Sequence, residues 1–115
     1  MAREFDLEER TTKFAKAVIA LCKTLPRNPI NDRLVGQVVG ASGSVGANYR
    51  EANDALGKKD FLQRMKITRR EAKESHHWLD LILEANENTR EEILPLLNEG
   101  IELKKIFSAI INKSE

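Results

Sequence analysis

Along this chain, apolar and small residues recur at alternating spacings of four and three, which is the pattern of a seam between packed helices. The first run is Leu7, Thr11, Phe14, Val18, Leu21 and Leu25, and the second is Leu34, Val38, Ala41, Val45, Asn48 and Ala52. The third is Phe61, Met65, Thr68, Ala72, Ser75, Leu79 and Ile82, and the fourth is Ile93, Leu96, Gly100, Leu103, Phe107 and Ile110. Turn signals separate these runs at three places, Pro26-Arg27-Asn28-Pro29, Gly57 and Asn86-Glu87-Asn88-Thr89. The spacing therefore predicts helices over about 6–25, 31–55, 58–86 and 90–112, forming a single domain over 1–115. Thr89 and Glu92 have the spacing of a capping box, and Pro95 falls near the first turns, where a missing N–H matters least.

Connections this short make neighbouring helices antiparallel, so the predicted class is all-α, an up-and-down antiparallel four-helix bundle. Folding the seams back on one another puts Phe14, Val45, Thr68 and Phe107 in one layer. The next layers are Val18, Ala41, Ala72 and Leu103, then Leu21, Val38, Ser75 and Gly100, each mixing large residues with small ones. Thr11 and Asn48 share a layer with Met65 and Ile110, which predicts a buried polar seam and an amide that fixes register through a hydrogen bond.

Helix two departs from ordinary amphipathicity. From Leu34 to Tyr49 sixteen residues carry no charge, although charged residues make up 32% of the chain. Gly36, Gly40, Gly43 and Ala47 recur on the side away from the seam, and each mid-helix glycine costs about 1 kcal/mol relative to alanine. Close approach of another backbone would offset that cost. Either the bundle's own helices supply it or a second subunit does, and the subunit-interface candidates are Gly36, Val39, Gly40, Gly43, Gly46, Ala47 and Tyr49. The glycines do not form a nucleotide-phosphate loop, because no strand precedes them and no Gly-Lys-Ser/Thr follows.

Net charge is only +1, from 19 basic and 18 acidic residues, so any electrostatic preference has to be local. It is local in the second half. Residues 58–73 carry Lys58, Lys59, Arg64, Lys66, Arg69, Arg70 and Lys73 against Asp60 and Glu71, a balance of +5. Residues 74–102 carry eight carboxylates against Arg90, a balance of −7, and antiparallel pairing brings Lys104 and Lys105 back to the basic end. On helix three this arrangement opposes the helix dipole, so helix stability does not explain it. It reads either as a solvated face that pairs between subunits or as a surface for phosphates, on which stacking aromatics are few.

Candidate chemistry is otherwise sparse. Glu74-Ser75-His76-His77 contains one Glu-x-x-His spacing, whereas a di-iron bundle needs two such pairs plus two more carboxylates, and His76 and His77 are the only histidines. No nucleophile, base and orienting group stand in an arguable arrangement, so neither an enzyme nor a cofactor is expected. Cys22 is the only cysteine and reads as an inert core thiol in a reducing compartment. No run reaches the roughly 18 apolar residues of a membrane span, and Met1-Ala2-Arg3-Glu4-Phe5-Asp6 lacks an apolar signal core, so a cytoplasmic location is expected.

Several stretches together resemble the four-helix bundle proteins associated with intervening sequences in bacterial 23S ribosomal RNA genes. They are Arg10-Thr11-Thr12-Lys13-Phe14-Ala15, Leu25-Pro26, Gln37, Ser44 to Ala52, Lys59-Asp60-Phe61, Lys66-Ile67, Glu71 to Ser75 and Trp78-Leu79. Helix four matches in character only. The resemblance implies assembly into a homopentameric ring, and it extends to the accessory protein of diversity-generating retroelements, which binds nucleic acid and a reverse transcriptase. Many members carry Arg-Ser where this chain has Gly40-Ala41, which argues against nucleic-acid binding by helix two. The combined expectation is a non-enzymatic homo-oligomeric scaffold that holds RNA, DNA or a nucleic-acid-processing protein at its basic end. The alternative is a purely protein-binding or structural oligomer with no nucleic-acid contact.

Overall fold

A computed structural model describes residues 7–115, so the expected helix start at residue 6 and the reading of Met1 to Asp6 lie outside the described residues. Among the described residues the chain forms four α-helices and no strand: α1 Leu7–Cys22, α2 Pro29–Asn53, α3 Lys58–Ala85 and α4 Arg90–Ser114. The bundle measures 45 × 25 × 19 Å.

Local chemistry sets the ends of these helices. The Thr24 N–H donates to the Leu21 carbonyl and the Leu25 N–H to that of Cys22, so α1 closes in a tightened last turn that leaves Leu25 buried. The Pro26–Pro29 stretch both ends α1 and starts α2, because Asn28 caps the new helix by accepting from the Asn31 N–H at 2.8 Å and Pro29 fills the first turn. The second helix thus begins two residues before its expected start. Gly57, before α3, has φ +154° and ψ 176°, a conformation essentially restricted to glycine. The capping box at Thr89 does not form. Its hydroxyl donates back to the Asn86 carbonyl at 2.6 Å and closes a short 3-10 turn over Glu87–Thr89. Pro95 then sits in the second turn of α4, where it removes one intrahelical bond.

All twelve residues of the three central layers are buried. Small polar residues can sit in the core because each satisfies its own hydroxyl within its helix: Thr11 donates to Leu7 O, Thr68 to Arg64 O and Ser75 to Glu71 O. The seam drifts by one residue where a strict three-four alternation was extrapolated to the helix ends. Leu97 and Ile111, not Leu96 and Ile110, are the buried residues of α4, and Tyr49 replaces Asn48 in α2. Asn48 is therefore not a buried seam amide. It is half-buried at the rim, where it donates to Ser44 O and accepts from Arg64, while the Tyr49 ring packs 6.1 Å from that of Phe107. The helical period of 3.6 residues allows either position, and the ring has far more apolar surface to bury than the amide.

Register between α3 and its neighbours follows the expected layers, as the Arg69–Ser108 and Arg64–Asn48 contacts show. Between α1 and α4 it does not. Arg10 should lie opposite Ile111, yet its guanidinium holds Glu99 through two bonds of 2.7 and 2.9 Å. Twelve residues of helix amount to about 18 Å, more than the two side chains can bridge, so α1 and α4 do not meet in the register that the seams imply. Helix α1 rests chiefly on α2. There Gly46 accommodates Thr11, whose Oγ1 would come within 3.0 Å of any added Cβ, and Glu8 takes hydrogen bonds from Arg50 and Asn53.

A polar tie that the seam pattern does not reveal lies at the opposite end. The buried amides of Asn31 and Asn86 exchange two hydrogen bonds of 3.0 and 2.9 Å, and each amide N–H2 also donates to a carbonyl, of Pro26 and Ile82 respectively. Both side chains are thereby satisfied out of water.

Candidate nucleic-acid interface

The basic segment of α3 opens on two adjoining shallow grooves. One is lined by Lys59, Leu62, Gln63, Lys66, Ile67 and Arg70 along α3 itself. The other, between α3 and α4, is lined by Lys66, Arg69, Arg70, Lys73, Lys104 and Ser108. Five cations from two rigid helices therefore surround one hollow, which seam register alone would predict only coarsely. Arg69 is half-buried and donates to the Ser108 hydroxyl at 3.4 Å, so its guanidinium is steadied at the groove floor. Sequence reasoning missed Ser108. Its only signal was a small polar residue one turn beyond Lys104.

Few carboxylates oppose these charges. Lys66 meets Glu115 at 3.2 Å and Arg70 meets Glu71 at 3.9 Å, both with a well-exposed basic partner, and such pairs contribute little. The Glu71 carboxyl is held above its ordinary range by burial and by the nearby charge of Glu74, with Arg70 opposing. Lys73 and Lys104 have no ion-pair partner among the described residues. The remaining predicted cations lie elsewhere. Lys58 sits in a separate hollow with Phe61 and Ser114, Arg64 turns toward Asn48, and Lys105 pairs with Glu102 at 3.8 Å outside both grooves.

The uncharged face of α2 divides in the same way. Gly36, Val39, Gly40, Gly43 and Ala47 are exposed, and at the three glycines an added Cβ would meet nothing within 4 Å. The chain's own packing therefore does not require them. Gly46 and Tyr49 turn inward instead, against Thr11 and Phe107, and leave the set of subunit-interface candidates.

The sequence profile described as 23S rRNA-intervening sequence protein matches residues 3–109, nearly the whole chain. The chain belongs to that family. A crystal structure of a protein of unknown function from the S23 ribosomal protein family of Bacteroides thetaiotaomicron VPI-5482 is 30% identical. The alignment covers 90% of this chain and 96% of that one, with a TM-score of 0.78. No curated protein matches significantly.

In this member of the 23S rRNA-intervening sequence family, no three His, Cys, Asp or Glu side chains among the described residues gather as a metal site. His76 lies against Gly100, and His77 meets the Trp78 ring edge-on at 5.0 Å. Half-burial raises the Cys22 thiol above its ordinary pKa, which disfavours the reactive thiolate. No helix among the described residues is long and apolar enough to cross a membrane.

Proposed function

We propose that this protein is a non-enzymatic homo-oligomeric scaffold that holds nucleic acid, or a nucleic-acid-processing partner, at the basic end of the α3–α4 hairpin. The observation that carries this reading is the convergence of Lys66, Arg69, Arg70, Lys73 and Lys104 on one groove with little compensating acid. Phosphate contacts of this kind supply affinity through counterion release and need no base-specific geometry. Light scattering together with the ratio of absorbance at the nucleic-acid and protein maxima, on material purified at low salt, tests both parts of the reading. We expect a mass that is a multiple of the 13.0 kDa chain and absorbance from bound nucleic acid that high salt removes. A lone 13.0 kDa species with the absorbance of protein only would refute it.

The exposed glycines of α2 favour, as a second reading, self-association without nucleic acid. Gly40→Ala is expected to raise the intrinsic stability of α2 by about 1 kcal/mol while weakening self-association. Sedimentation across a concentration series, alongside thermal melts, measures both effects. Unchanged assembly would exclude Gly40 from the interface.

A further inference from the structure

We infer that the basic grooves take the phosphate backbone of duplex nucleic acid, DNA or RNA, in preference to a single strand. This rests on the phosphate-binding reading above. Proteins that hold single strands without reading sequence combine cations with aromatic platforms, and stacking on those platforms contributes about 1–3 kcal/mol per base. Neither groove offers one. No aromatic side chain among the described residues lines them, and the described aromatics are committed to the interior: Phe14, Tyr49 and Phe107 are buried, while Phe61 and Trp78 are half-buried against the core. A single strand bound here would lose its conformational freedom with only charge contacts in return.

Charge spacing points the same way. Lys59, Lys66, Arg70 and Lys73 lie on one stretch of unbroken helix, fifteen residues and so about 21 Å from first to last, with Lys104 alongside on α4. A duplex presents one negative charge per about 1.7 Å of axis and is already stiff, whereas a single strand offers half that density and must be straightened. A rigid row of cations without stacking surfaces therefore matches the denser, preformed lattice of phosphates. Counterion release is also larger per contact on a duplex, with a salt slope of about −0.9 per phosphate against about −0.7 for a single strand.

Fluorescence anisotropy with labelled DNA and RNA duplexes, and with each of their separate strands, tests this at one fixed low salt concentration. At least one duplex is expected to bind roughly ten-fold or more tightly than its own strands. That preference should vanish in the Lys66→Glu/Arg70→Glu/Lys73→Glu variant and persist in Lys23→Glu, an exposed charge just beyond the C-terminal end of α1. Circular dichroism confirms that the variants keep their helices. Single strands that bind as tightly as the duplexes, with binding still lost in the triple variant, would overturn the duplex inference and leave the phosphate-binding reading standing. Binding to neither form would overturn both.

Discussion

Replacing Asn86 with alanine should lower the stability of the fold by about 2–4 kcal/mol, and Asn31→Ala should cost nearly as much. The two amides are buried and hold each other through a reciprocal pair of bonds, while each anchors a backbone carbonyl near a helix end. Removing either one leaves a donor and an acceptor of the other out of water without partners, at about 1–3 kcal/mol for such a group. The lesion also loosens the junction where the α1–α2 connection and the end of α3 meet. Because the second loss follows from the first, the double variant should be less destabilised than the sum of the singles, with a coupling of about 1–3 kcal/mol. Urea unfolding of the two single variants and the double variant measures this. Additive losses would show that the amides act independently.

This pair also shows where sequence reading stops. Asn31 stands in the first turn of α2 just after the Pro26–Pro29 breaker and Asn86 opens the last breaker stretch, places where asparagine is ordinarily explained by turn and cap chemistry, and 55 positions separate them. Nothing in a helical period relates two such residues. The centre of the bundle was legible because Phe14, Val45, Thr68, Phe107 and their neighbours obey the seam spacing and bury as a set. Away from the centre the same rule could not choose between Asn48 and Tyr49, or between Ile110 and Ile111, since the drift of a 3.6-residue period accumulates with distance. Periodicity also assigns a face without assigning a tilt. The bond of Arg10 to Glu99 depends on a relative placement of α1 and α4 that neither helix encodes alone.

The site was legible to a similar degree. Local charge balance identified the basic end, and antiparallel pairing brought Lys104 to it, but side-chain direction decided which cations converge. Lys66, Arg69, Arg70 and Lys73 face the α3–α4 groove, while Arg64, two residues before Lys66, falls toward α2 and Asn48. On α2 the glycine pattern correctly marked an exposed face, and only the structure showed that Gly46 belongs to the α1 contact.

The larger functional effect should come from reversing three of the converging charges. Lys66→Glu/Arg70→Glu/Lys73→Glu removes three of five cations from the groove and adds three carboxylates, turning a local excess of positive charge negative. The Lys66 and Arg70 side chains are well exposed, and Lys73 has no ion-pair partner among the described residues, so the fold should tolerate the change. Affinity for nucleic acid should fall by about 100-fold or more at low salt. Lys58→Glu and Lys105→Glu, which lie outside the groove, should change it far less.

The dependence of affinity on salt, measured for the unaltered protein and for this triple variant on the same duplex, tests the central claim most directly. Five phosphate contacts per chain predict a slope of log affinity against log salt of about −4 to −5, which collapses in the variant. Affinity that is insensitive to salt, or a slope that the three reversals leave unchanged, would contradict a phosphate-binding role for this end of the bundle.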